Sequence, residues 1–292
     1  MSKNKSLFAA LLVMLLWGTL FPAVKLGYTV YNVVTVPDII LFAGVRFTIC
    51  GIVICLYSVV TDLKSVKIGK TDILPVLGVG LFAVILHYSF SYLGLLFAES
   101  SKTAIIKQIG PLLYVCFSFV FFKDDKFSLK KLVAAVLGLV GIIAINYGSG
   151  KVSFGLCELF VLLASFCTVF SNVIGKRAFV NVNPVAGTGI SQLFGGVILL
   201  IAGVCAGGKM NVNASPVFAY ICVASVISYC LWYTVVKNGE LSKLFIIKFA
   251  EPIFACIFSA ILLGESVFKL QYFIALLLIS IGIYISNKKK NT

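Results

Sequence analysis

The sequence predicts an all-α membrane protein, with ten transmembrane helices arranged as two inverted five-helix repeats. Three observations carry this expectation. The chain of 292 residues is 61% hydrophobic and only 12% charged. Soluble domains are about half apolar and a quarter charged, so the excess apolar mass has to face lipid. The basic residues alternate in density from one loop to the next, and the middle of the chain matches itself when shifted by 141 positions.

A membrane helix needs about 20 predominantly apolar residues. Charges, prolines and glycine clusters divide the chain into ten such stretches, near 7–29, 37–60, 72–97, 102–122, 128–147, 154–176, 184–206, 215–237, 242–263 and 267–287. The first follows Lys3 and Lys5 as a leader peptide would, yet it holds Trp17, Pro22 and Lys25 and lacks a small-residue cleavage pattern. It therefore reads as a retained span. Pro37, Pro75, Pro184 and Pro216 stand at the starts of spans, where a missing N–H is harmless. Pro22, Pro111 and Pro252 stand inside spans. There a proline breaks a helical hydrogen bond and marks a kink or a gating point.

The net charge of +14 raises nucleic acid, anionic lipid and anionic substrates as partners. With both termini placed inside, sixteen basic residues fall in inner segments and four (Lys102, Lys151, Lys209 and Lys269) in outer ones. That bias is the positive-inside rule, so most of the charge reports orientation and nucleic acid is not expected. The expected partners are the lipid bilayer and a small-molecule substrate, with the chain a monomer or a homodimer. The 22 lysines against 2 arginines fit an AT-rich bacterial genome and a multi-pass protein of its cytoplasmic membrane, both termini cytoplasmic. Four basic residues remain inside spans: Lys25, Arg46, Lys107 and Lys248.

The shift of 141 lays Ser101 to Pro111 over Ser242 to Pro252, and matches Lys107 to Lys248, Tyr88 to Tyr229, Tyr92 to Tyr233, Asp124 to Glu265 and Gly141 to Gly282. The repeats are residues 1–150 and 151–292, together one integral membrane domain. Five spans per repeat make the halves inverted across the bilayer, which is a mark of secondary transporters with a site near the midplane.

At this point the chain resembles a known family. Two five-helix halves carry Lys102 through Pro111 and Lys243 through Pro252 in their fourth helices, each followed by an acid, Asp124 or Glu265. With Trp17-Gly18 in helix 1 and the glycines of helices 5 and 10, these features look like the drug/metabolite transporter superfamily and its ten-span EamA-type group. The resemblance implies a carrier whose central cavity is lined by helices 1–4 and 6–9, with helices 5 and 10 at the side. Such families move amino acids, other metabolites, nucleotide sugars or phosphorylated sugars. Lys107 and Lys248 depart from the pattern, standing where many EamA-like sequences have small or apolar residues.

A charge in the bilayer interior is costly and marks a functional site by default. Lys107 shares a helical face with Pro111, Tyr114 and Ser118, a polar stripe suited to a cavity. In the second half, Glu251 stands three residues after Lys248, within reach of it on one helix. Lys107 has Gly110 at the matching place, so it is the stronger candidate for binding a substrate anion. The competing reading is that both lysines snorkel to an interface. Arg46 lies mid-helix 2, where its planar fork suits a carboxylate or phosphate; an ion pair with Glu158 or Glu99 is the alternative. His87, Glu251 and Glu158 are candidates for coupling or proton relay, and His87 reads equally as a packed side chain. Asn172 repeats Glu158 and Ser165 at sevens along helix 6. Trp17 shares a face with Phe21 and Lys25, and Tyr92 and Tyr233 are symmetry mates whose hydroxyls need partners when buried.

The expected function is a secondary transporter that moves a small anionic or zwitterionic metabolite by alternating access. The alternatives are an exporter of amino acids or amphiphilic compounds with structural lysines, and a channel. No enzyme is expected, because the chain offers no catalytic set and its single histidine makes a metal site improbable; no cofactor is called for. The nine cysteines lie in apolar stretches without a CxxC pair, as packing residues do. Gly203 to Lys209 imitates a phosphate loop, but Met210 stands where Ser or Thr is required.

Overall fold

A computed structural model describes residues 3–110, 112, 114, 129–146, 155–211, 214–239, 244, 247–248, 250–267 and 269–287. Among the described residues all regular structure is helical, as it must be where no water is present to satisfy a backbone group. The helices are α1 (Lys3–Tyr31), α2 (Val36–Thr61), α3 (Lys70–Phe97), α4 (Ser100–Ile106), α5 (Leu129–Asn146), α6 (Leu156–Ala178), α7 (Pro184–Cys205), α8 (Pro216–Asn238), α9 (Ala250–Leu263) and α10 (Leu270–Asn287). Six of them, α1, α2, α3, α6, α7 and α8, are long and apolar enough to cross a membrane, while α9 is a shorter apolar helix. The expected kink at Pro111 lies outside the described residues, as does Asp124.

Helix starts follow their sequence signals. Thr35 and Asp38 form a capping box at α2, with Asp38 Oδ2 accepting from Thr35 N at 2.8 Å. The other Asp38 oxygen accepts from Lys209 N at 2.7 Å and ties in the segment after α7. Asn183 caps α7 and Ser215 caps α8, each just before a proline at the first helical position. Helix α3 is interrupted by a π-helical turn at Leu81–Leu86, directly before His87. Such widened turns recur at functional sites.

The most extensive packing joins α2 to α7, and small residues explain it. Gly44 and Gly51 on α2, and Gly189, Gly196 and Gly203 on α7, recur at spacings of seven, which keeps them on one face of each helix, and each lies against the other helix. A Cβ on Gly44, Gly51 or Gly196 would overlap the backbone of Leu200, Leu193 or Thr48, and one on Gly203 would lie 2.6 Å from Leu41 Cα. Backbones approach this closely in membranes only through small residues. Elsewhere α5 packs on α10, α1 on α8 and α9, and α3 on α6 and α7. Exchanging the first five helices with the second five turns the α1–α8 packing into α6–α3, which is also present.

Outward faces carry large apolar side chains such as Phe8, Leu56, Val60 and Leu74, as lipid requires. Inside, a continuous apolar cluster runs from Ala9 on α1 to Ala255 on α9 and holds Trp17, Phe42, Phe47, Trp232 and several tyrosines.

Candidate functional site

The bundle encloses a cavity with about 640 Å³ of space free of atoms, its mouth included. Helix α1 contributes Trp17 and Phe21, α2 contributes Arg46, and α3 contributes His87, Tyr88, Ser91 and Tyr92. From the second half come Asn172 and Thr168 on α6, and Tyr229, Trp232 and Tyr233 on α8. Lys107 and Lys248 both line this space.

The two lysines occupy equivalent breaks in the helices. Lys107 closes α4, and Lys248 sits in a turn just before α9. The residue four positions on is a proline in each case, so the lysine carbonyl has no i+4 donor. The carbonyl takes a donor one residue nearer instead: Gly110 N to Lys107 O at 3.1 Å, and Glu251 N to Lys248 O at 3.0 Å. Ser165 Oγ also donates to Lys107 O, at 3.2 Å. Interrupted helices of this kind form midplane sites in carriers.

Lys107 Nζ donates to Glu251 Oε1 at 3.2 Å, across the two halves. Glu251 thus gives Lys107 the carboxylate that its own stretch of sequence lacks. The turn at Lys107 breaks the simple helical spacing, and packing of α9 against α4 and α1 brings the fully buried Glu251 to the other repeat's lysine. Aromatic faces complete the environment: Lys107 Nζ lies 5.0 Å from the Phe21 ring centroid, and Lys248 Nζ lies 5.1 Å from Trp17 and 5.2 Å from Trp232. Cations are attracted to such faces.

Arg46 is 1% exposed. Its Nε and Nη2 donate to Ser225 Oγ at 3.1 and 2.6 Å, and Nη1 donates to the Tyr92 hydroxyl. The guanidinium also sits over Phe47, 4.6 Å from the ring centroid, and 5.1 Å from Tyr88. The considered ion pair with Glu158 or Glu99 does not form. Glu158 Oε1 instead accepts from Lys102 at 2.6 Å while Oε2 caps α6 through Gly155 N at 2.9 Å, and Glu99 accepts from Lys269 at 2.7 Å. Glu158 therefore stands at one end of the bundle, not on the cavity wall.

His87 Nδ1 lies 2.9 Å from Ala164 O, which makes that nitrogen a donor, and 3.1 Å from Thr168 Oγ1. Asn172 Oδ1 accepts from Trp232 Nε1 at 2.7 Å, and its amide donates to Thr168 O at 2.7 Å. The hydroxyls of Tyr88 and Tyr229, 141 residues apart, meet at 2.5 Å. Tyr233 stacks on Tyr229 and meets Phe179 edge-on. Of the remaining expected residues, Tyr114 is buried in the apolar cluster and does not line the cavity. Pro22 and Pro252 lie inside α1 and α9. Sequence reading missed Trp232 and Ser225; the one available signal was their position on the helix that carries Tyr229 and Tyr233.

Long apolar helices around a cation-lined cavity with interrupted helices are the build of a multi-pass membrane transporter. The EamA-like transporter family model matches residues 4–147 and 155–288, and the chain belongs to that family. It is 24% identical over 94% of its length to an uncharacterized transporter of Archaeoglobus fulgidus, covering 95% of that protein. It is 25% identical over 96% of its length to the uncharacterized inner membrane transporter YedA of Escherichia coli, covering 92% of it. The uncharacterized transporter YvbV of Bacillus subtilis is 24% identical, with 98% of this chain and 93% of that one matched. A crystal structure 20% identical to the chain shares its fold, with a TM-score of 0.66 over 98% of this chain and 97% of that one. The protein is a transporter-family member and not an enzyme.

Proposed function

We propose that the protein is a secondary transporter for a small anionic or zwitterionic metabolite, working by alternating access. One observation carries the substrate class: three cationic side chains, Arg46, Lys107 and Lys248, line one cavity, and Arg46 meets hydroxyls and rings there while Glu251 pairs with Lys107. A buried cation without a carboxylate is costly, and a bound anion relieves that cost. The carrier reading is supported by the 141-residue repeat, by helix pairings that survive exchange of the halves, and by equivalent turns at Lys107 and Lys248. On this reading the chain has ten spans in two inverted halves that rock around the cavity, with both termini in the cytoplasm of a bacterial cell. His87, on the cavity wall, and Glu251, paired with the cavity-lining Lys107, are the groups suited to proton coupling. Glu158 and Tyr114 stand off the wall and have no such place.

Two measurements test this. Thermal-shift screening of the purified protein with anionic, zwitterionic and cationic metabolites stabilises with the first two classes; hits confined to cations or neutral amphiphiles remove the anion site. Proteoliposome counterflow of a hit saturates with concentration, whereas a conductance without saturation means a channel. The Lys107–Glu251 ion pair favours a second reading, an exporter of amphiphiles in which Lys107 is architectural. In that case Lys107→Gln leaves affinity unchanged.

A further inference from the structure

Within the proposed anion site, the cations lie against two different sets of rings among the described residues. Arg46 is held over Phe47, Tyr88 and Tyr92. Lys107 and Lys248 are held over Trp17, Phe21 and Trp232. Between the groups runs an aromatic partition: Tyr88 meets Tyr229 through their hydroxyls at 2.5 Å, and Tyr229 packs on Trp17 with centroids 5.6 Å apart. All of these side chains except Phe47 border the same cavity. Each group retains donors. A guanidinium has five N–H bonds and an ammonium three. Ser225 and Tyr92 engage three of the five on Arg46, and Glu251 engages one of the three on Lys107.

We infer that the substrate is a small dianion with an anionic group at each end and an apolar middle, an α,ω-dicarboxylate being its simplest form. One end group takes the Arg46 fork, and the other takes the lysine side of the partition. The apolar middle lies along Tyr88, Tyr229 and Trp17. The inference rests on the proposed anion site and adds the number and separation of the substrate's charges. A compact dianion satisfies only one pole at a time, and a monoanion leaves the other pole empty.

Calorimetric titration of the purified full-length protein tests this with malonate, succinate, glutarate and adipate, against butyrate and sulfate. The expected result is a chain-length optimum, with the best diacid binding at least 10-fold tighter than butyrate or sulfate. Arg46→Gln then lowers the best diacid to the level of butyrate. Sulfate or butyrate matching the best diacid, or a flat response to chain length, overturns the two-pole inference while the anion site stands. If none of the six probes binds, the anion site itself fails. Should Arg46→Gln not fold, Lys107→Gln gives the reciprocal reading, because it also reduces diacid affinity to the level of a single-pole ligand.

Discussion

The cations at one end of the bundle and those around the cavity follow opposite rules. At the end, three lysines each pair with a carboxylate: Lys102 with Glu158 at 2.6 Å, Lys269 with Glu99 at 2.7 Å and Lys25 with Glu265 at 3.5 Å. These lysine side chains are a quarter to a third exposed, so water carries part of their charge. Around the cavity, Arg46 is sealed from solvent and meets only hydroxyls and rings among the described residues, and Lys107 draws its carboxylate, Glu251, from 144 positions away. Matched charges report architecture. A cation kept buried without a carboxylate lowers stability, and proteins retain such costs where function needs them.

The sharpest way to break that contrast is Arg46→Gln. If Arg46 serves a ligand, the substitution lowers affinity for the anionic substrate about 100-fold, the worth of roughly two charge-assisted hydrogen bonds. Melting temperature in detergent holds or rises, because a buried charge has gone. A fall of several degrees with affinity intact would move Arg46 to the architectural group.

Lys107→Gln comes next and separates two roles in one residue. Affinity falls about 10-fold. Stability also falls, by about 3 kcal/mol, because the buried Glu251 carboxylate loses its partner. Adding Glu251→Gln restores the melting temperature but not the affinity. Recovery of both in the double variant would make the pair purely structural.

Much of this was legible in the sequence, and the limits have physical causes. Composition and the 141-residue repeat pointed to the all-helical membrane fold and paired Lys107 with Lys248, because apolar runs and repeated residues are one-dimensional signals. The prolines at 111 and 252 marked the turns at the lysines for the same reason. The partner of Lys107 was not legible. Glu251 lies 144 positions away, and helical spacing cannot express a contact between halves. Ser225 and Trp232 were equally hidden, as their facing on α8 is set by α1 and α2. The seam of Gly44 and Gly51 with Gly189, Gly196 and Gly203 was written in sevens, and lies among enough other glycines to pass unnoticed.

At the end of the bundle the expected effects are smaller. Lys102→Gln breaks the pair with Glu158 yet leaves affinity within about 2-fold and costs about 1 kcal/mol or less, the range of partly exposed pairs. The cap from Glu158 to Gly155 N survives it. An affinity loss as large as that of Lys107→Gln would join the two regions into one functional unit.

The smallest effect is a pH dependence at Glu99. Partial burial works against its charge, but hydrogen bonds from Lys269 and Tyr272 outweigh that and hold the carboxyl below its ordinary range. A carboxylate with a lowered folded-state value stabilises the protein above its unfolded value, near 4.3, and loses that contribution as pH falls through the folded value. Both partners are about a third exposed, so solvent screening keeps the contribution under about 1 kcal/mol. Melting temperature measured from pH 7 down to pH 3 therefore falls slightly more steeply for the wild type than for Glu99→Gln, and the two curves converge at the acid end. Parallel curves would mean that the Lys269–Glu99 contact adds nothing, and the end of the bundle would then be held by apolar packing and caps alone.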